Sequence, residues 1–139
     1  MGRELLEKLR GFPGDKYGVV YAVLFGSAAS RESFEDVDVA VLFEREPELG
    51  VLAELVEGLA RHLGLPYGGV DIVPLNWDLP CVLVVEALGR GVLVYARSID
   101  EYLDDALIRL KVCWDFEISY RKLGLLDAAL EAVKRKWQS

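Results

Sequence analysis

Histidine occurs once and cysteine twice in this chain of 139 residues. Cys81 and Cys113 stand far apart, with no second cysteine and no histidine cluster beside either, so zinc ligation is unsupported. Both lie in apolar surroundings and read as small buried hydrophobes, in keeping with a reducing cytoplasm. No apolar run approaches the roughly 18 residues that would span a membrane. The opening Met-Gly-Arg-Glu-Leu-Leu-Glu reads as the start of an amphipathic helix and not as a signal peptide. A basic excess is also missing: 16 Lys and Arg face 23 Asp and Glu, a formal net charge of -7 with a pI near 4.8. A protein that coats phosphate backbones carries a basic footprint, so bulk nucleic acid is disfavoured as a substrate. Repeats, low-complexity tracts and linkers are absent too.

What is present is hydrophobic, at 53% of residues, and enough for one domain of ordinary size over residues 1–139 with a proper core. The spacing predicts a short helix over Arg3 to Arg10, closed by Gly11 and Pro13. Gly18 to Phe25 is a near-continuous apolar run, as for a buried strand, and Gly26-Ser27 breaks it before a short helix to about Phe34. Val37 to Phe43 is a second strand, and Pro47 to Leu63 has helical spacing. Val70 to Pro74 is a third strand, Pro80 to Leu88 a helix, and Val92 to Ala96 a fourth strand. Ile99 to Leu123 is helical, Gly124 interrupts, and Leu125 to Trp137 is a last helix. Strands alternate with helices and the last third is all helix. The fold class is therefore α/β, a small mixed sheet flanked by helices, with a core of about 18–96 and a helical tail of about 98–137.

The chemistry concentrates in Phe25-Gly26-Ser27, an eight-residue spacer, and Asp36-Val37-Asp38. Side chains alternate along a strand, so Asp36 and Asp38 share a face while Val37, Val39 and Val41 point into a core. Two carboxylates on one face repel, and a divalent cation offsets that. Residues two apart on a strand lie about 6 to 7 Å apart, a span suited to two metals about 3.5 to 4 Å apart on one phosphate. Asp71 interrupts the apolar strand Val70-Asp71-Ile72-Val73 and is costly there unless satisfied. It completes the cluster if its strand lies beside the second one. Gly26-Ser27 sits at a strand-to-helix turn, where backbone and hydroxyl donors favour anions.

Gly26-Ser27, the spacer, Asp36-x-Asp38 and the later Asp71 resemble the DNA polymerase beta-type nucleotidyltransferase superfamily. The small size narrows the resemblance to the minimal nucleotidyltransferases, similar to kanamycin nucleotidyltransferase cut to its core. Leu88-Gly89-Arg90-Gly91-Val92-Leu93-Val94-Tyr95 also resembles the group's strand after the third carboxylate, so the likeness covers most of residues 18 to 96. The resemblance implies that Asp36 and Asp38 bind two Mg²⁺ ions, that Asp71 binds the catalytic metal and helps activate the acceptor, and that Gly26 and Ser27 hold the triphosphate of ATP. The family often has an arginine four residues after the glycine. Here Ser30 stands there, and Arg31, a phosphate ligand by resemblance only, follows it. The implied reaction is transfer of AMP to a hydroxyl. Minimal nucleotidyltransferases commonly act as antitoxins beside an all-helical HEPN-type toxin and adenylylate a tyrosine on it. Rival readings are a non-catalytic antitoxin that occludes its partner and an aminoglycoside-like small-molecule nucleotidyltransferase. The second rival lacks room for a substrate domain unless a homo-oligomer supplies it.

Other residues read more plainly. His62, late in a helix, is a partner for that helix's dipole rather than a catalyst. Trp77 either stacks a base or covers a core edge, and the second is favoured. Leu103, Leu107, Leu110, Trp114 and Ile118 form a helical stripe, with Phe116, Tyr120 and Leu123 beside it. It is wide enough to serve either the core or a partner.

Overall fold

The structure, a computed structural model, describes residues 3–26 and 36–138, with side chains at all of these except 3, 67, 116–130 and 136–138. The helix expected from Ser27 to about Phe34 lies outside the described residues. Four strands form one sheet: β1 (Val19–Phe25), β2 (Val37–Phe43), β3 (Val70–Pro74) and β4 (Val92–Ala96), in the order β3-β2-β1-β4. β1 runs antiparallel to β2 and β4, whereas β2 and β3 are parallel. A parallel pair needs a crossover, and a helix supplies it. α1 (Arg3–Arg10) precedes the sheet, α2 (Leu49–Leu63) joins β2 to β3, α3 (Cys81–Val84) follows β3, and α4 (Ile99–Gln138) closes the chain. β1 is buried along its whole length, as its unbroken apolar run predicts.

Alternation along β2 divides the core. Val37, Val39 and Val41 pack with Leu5 and Leu9 of α1 and with Leu55, Leu59 and Leu63 of α2. On the other face Ala40 and Leu42 pack with Tyr21, Val84 and the α4 residues Ala106, Leu110 and Cys113. Polar contacts fix the layers. Asn76, past the end of β3, accepts a hydrogen bond from Phe43 N and donates one to Phe43 O, each 2.9 Å, and so serves β2 as one more strand residue would. Tyr21 donates to Asp105 Oδ2 at 2.6 Å, and Arg109 donates to the same oxygen and to Leu75 O, both at 2.7 Å. Burial first, and the bond to Asp105 second, push the Tyr21 hydroxyl well above the usual phenol range, so it stays a donor. α4 is thereby tied to both β1 and the end of β3.

Several expectations are corrected. Cys81 and Cys113 are not free: they form a disulfide, Cα atoms 5.2 Å apart, joining α3 to α4. The sequence separation of 32 hid a contact that the packing of these two helices creates. Gly124 does not interrupt the tail, since α4 is one helix of 40 residues. An interior glycine costs a helix about 1 kcal/mol, and the flanking helix formers outweigh it. The second long helix begins at Leu49 rather than Pro47. The segment after Pro80 is helical only through Val84 before widening into a π turn over Val85–Gly89. His62 does lie in the last turn of its own helix, and in addition its Nε2 lies 2.6 Å from Lys8 O, in the last turn of α1. Leu110 is buried, while Leu103, Leu107 and Trp114 are exposed, so the predicted stripe is only partly core. Ile118, Phe116, Tyr120 and Leu123 lie outside the described side chains.

Candidate active site

One end of the sheet gathers the acidic residues singled out in the sequence. In the β1–β2 register Phe25 faces Asp38, and in the parallel β2–β3 register Asp38 faces Asp71. Asp38 and Asp71 therefore stand abreast on neighbouring strands, which are about 4.8 Å apart. By alternation Asp38 continues the Ala40 and Leu42 face, toward α3 and α4. Asp36 is exposed just before β2 begins, Asp38 is half-buried, and Asp71 is exposed. Burial, then the charges of Asp71 and Asp36, then a hydrogen bond with Asp71 hold the Asp38 carboxyl above the usual carboxylate range. Asp36 thus acts on Asp38 through charge, and Asp71 through charge and contact.

No Lys, Arg or His among the described residues forms an ion pair with any of the three. No group of three Asp, Glu, His or Cys side chains among the described residues is gathered closely enough to hold a metal ion alone. The arrangement is a carboxylate pair with a third charge at its edge. Such a set suits a hard divalent cation whose remaining ligands are water and phosphate oxygens.

Gly26 sets the distance between the turn and this pair. Its φ is +76°, a left-handed conformation that suits glycine, and a Cβ there would lie 2.5 Å from Asp38 Oδ2. We expect Gly26→Ala to cost about 1 to 2 kcal/mol of stability from the backbone conformation. The methyl group would also push the Asp38 carboxylate aside, because that is the part free to move. Comparing a thermal melt with nucleotide turnover checks this: activity should fall well beyond the modest loss of stability. Ser27 and Arg31 lie outside the described residues.

The sequence reading quoted Arg90 within a family-like segment but gave it no role. Because Leu24 pairs with Val92, Gly91 and Arg90 stand beyond β4 at the sheet end that carries Gly26, Asp38 and Asp71. Arg90 is exposed and, among the described residues, forms a 3.6 Å ion pair with Glu86. Its place within the Gly-Arg-Gly segment was the available signal. Trp77 follows the far end of β3, away from the carboxylates, and is 42% exposed; it does not stack a base at this site.

A family model described as polymerase beta, nucleotidyltransferase, matches residues 7–100. The chain belongs to this nucleotidyltransferase family. The match begins within α1, at residue 7, and covers all four strands, and so includes the carboxylate end of the sheet. Solved structures share the fold. One chain, from a structure of a tri-AMPylated Shewanella oneidensis HEPN toxin in complex with MNT antitoxin, is 23% identical with a TM-score of 0.53, covering 91% of each chain. A chain from a toxin-antitoxin structure with AMP-PNP is 18% identical with a TM-score of 0.61, covering 94% of this chain and 99% of that one. A further Shewanella oneidensis structure is 18% identical with a TM-score of 0.62, covering 92% and 99%. No curated protein matches the chain.

Proposed function

We propose that this nucleotidyltransferase is metal-dependent, moves AMP from ATP to a tyrosine hydroxyl of a HEPN-type toxin, and acts as the antitoxin of that toxin. The observation that carries the reading is Asp71 abreast of Asp38 beside Gly26, in a chain of this family. The chain is read as one nucleotidyltransferase domain, residues 1–139, with Asp36, Asp38 and Asp71 as its metal ligands. Two Mg²⁺ ions would neutralise charge developing on the transferred phosphoryl group and lower the pKa of the acceptor hydroxyl. Asp38 and Asp71, side by side, would hold the metal that binds the nucleotide's α-phosphate. Asp71, on the edge strand β3, would bind the catalytic metal and help activate the acceptor. Gly26 lets the backbone approach the triphosphate, and Ser27 and Arg31 add donors to its oxygens. Arg90 supplies a cation from the opposite edge of the same sheet end.

The net charge of -7 favours a basic acceptor through long-range attraction, and a toxin that binds RNA is basic. The structures of similar fold described as toxin–antitoxin complexes support a protein acceptor. A cytoplasmic location belongs to this reading of the partner; the Cys81–Cys113 disulfide removes the free thiols as a ground for it, since disulfides are rare in reducing compartments. No helix of the described residues is long and apolar enough to cross a membrane. The test is to incubate the chain with Mg²⁺, labelled ATP and its HEPN-type partner. Label on the partner, with mass spectrometry placing added AMP on a tyrosine, is the expected result. Neutralisation by a stable, nucleotide-independent complex without modification would instead establish occlusion. Label on a small alcohol alone would establish a small-molecule enzyme.

A further inference from the structure

The order of the strands lines up the chemistry of the carboxylate end. Across that end Asp71 lies on β3, Asp38 on β2, Gly26 just past β1, and Arg90 just before Gly91 and β4. Neighbouring strands are about 4.8 Å apart. Two carboxylates therefore stand on one side of the Gly26 turn, and Arg90 stands on the other. Arg90 also belongs to the layer that Asp38 faces. The π turn Val85–Gly89 immediately before it buries Ala87 and Leu88 in the cluster that holds Ala40, and Asp38 continues the Ala40 face by alternation. Single π turns recur at functional sites. The backbone here is held firmly. Gly91 N donates to Ala87 O at 3.0 Å, and a Cβ on Gly91 would collide with Ala87 O and the Val23 side chain, so this corner of the chain is pressed against β1. The Arg90 side chain is held loosely. Its 3.6 Å ion pair with Glu86 is longer than the about 2.7 to 2.9 Å of a charge-assisted hydrogen bond. An exposed pair of this kind is worth little, so Arg90 can leave Glu86 for a stronger anion at small cost.

We propose that Arg90 holds the β- and γ-phosphates of ATP, the pyrophosphate that leaves. This rests on the nucleotidyl-transfer reading above and assigns the end of the nucleotide that the carboxylates do not. In the transfer the acceptor oxygen bonds to the α-phosphorus. The bond from that phosphorus to the oxygen shared with the β-phosphate breaks, and its electron pair departs on pyrophosphate, while the hydroxyl proton passes to water. Negative charge grows on the leaving group, and a cation already in place there stabilises it. With a strand between it and Asp38, Arg90 is placed for the phosphates beyond the α-phosphate rather than for the α-phosphate itself. The planar fork of its guanidinium suits two phosphate oxygens at once.

Calorimetric titration of the full chain with Mg²⁺ and either α,β-methylene ATP, which cannot be cleaved at the α-phosphate, or AMP tests this without turnover. Arg90→Ala should weaken binding of the triphosphate by roughly tenfold to a hundredfold, as for lost hydrogen bonds between charged groups, and leave AMP binding unchanged. Arg90→Lys keeps the charge, loses the fork and should weaken it less; this variant carries the test if Arg90→Ala fails to fold. Glu86→Gln breaks the same ion pair and should not weaken the triphosphate. Unchanged triphosphate affinity in Arg90→Ala overturns the proposal and leaves the nucleotidyl-transfer reading standing, and so does an equal loss for AMP and the triphosphate. A loss in Glu86→Gln that matches Arg90→Ala would make the ion pair structural and overturn the proposal too. A wild-type chain that binds neither nucleotide overturns both the proposal and the reading beneath it.

Discussion

Replacing Asp38 with Asn should cripple nucleotidyl transfer and, in the absence of divalent metal, should make the protein more stable. The two effects share one cause. Burial and the neighbouring charges of Asp71 and Asp36 disfavour the ionised Asp38. An amide of the same shape removes the charge and keeps the volume. Because Asp38 is only half-buried, solvent screens much of the repulsion, so the gain is on the order of 1 kcal/mol at most. That corresponds to roughly 3 °C in melting temperature. The sign with pH follows from linkage. A folded carboxyl with a raised pKa holds its proton more tightly than the unfolded chain does. Wild-type stability therefore falls as pH climbs from the ordinary carboxylate range through the raised one. The advantage of the Asp38→Asn variant should accordingly vanish in acid and be fully present near neutrality. Added Mg²⁺ should raise the wild-type melting temperature and leave the variant's unchanged, while transfer in the variant drops by roughly a hundredfold to a thousandfold or more. A variant that melts lower without metal would mean that Asp38 is a satisfied structural group, and the metal assignment would fail with it.

The strands were legible because their residues are monotonous. Seven apolar residues in β1 and the Val37–Val39–Val41 alternation in β2 admit few other readings. Asp71 was legible as an anomaly, a charge within an apolar strand, but the sequence alone did not say which strand lies beside it. The parallel register that sets it against Asp38 is a property of the α2 crossover. What escaped the sequence reading depends on contacts distant along the chain. The Cys81–Cys113 disulfide needs α3 and α4 side by side. The Tyr21 and Asp105 hydrogen bond joins residues 84 apart, one of them hidden in an apolar run. The continuous α4 was missed for a different reason. Local signals gave Gly124 the weight of a terminator, although no proline or polar turn residue accompanies it. Arg90 was noticed only as part of a motif, because its place at the carboxylate end of the sheet follows only through two strand pairings.

Gly91→Ala should be the most destabilising single methyl group that can be added to the described glycines. It stands where the π turn of Val85–Gly89 gives way to β4, and its N–H donates to Ala87 O at 3.0 Å. A Cβ at this point would collide with Ala87 O and with the Val23 side chain, and would lie 2.9 Å from Leu24 O. Two of these obstacles are backbone carbonyls fixed in a helical turn and in the central strand, so neither can step aside as a surface side chain would. Relief requires β4 to move away from β1, which breaks the ladder at the sheet end that holds Gly26 and Asp38. Overpacking against yielding side chains costs about 1 to 3 kcal/mol, and backbone obstruction puts this substitution at the top of that range or beyond, a loss of roughly 10 °C in melting temperature. Gly89→Ala is the control. Two residues earlier, an added Cβ would meet only Leu110 and Val85 side-chain atoms at 3.7 Å, ordinary contact distance. It should leave the melting temperature within roughly 3 °C of wild type. Equal effects at the two positions would show that glycine is needed throughout this turn for its backbone freedom, whereas a large loss confined to Gly91 ties the requirement to the close approach of β4 to β1.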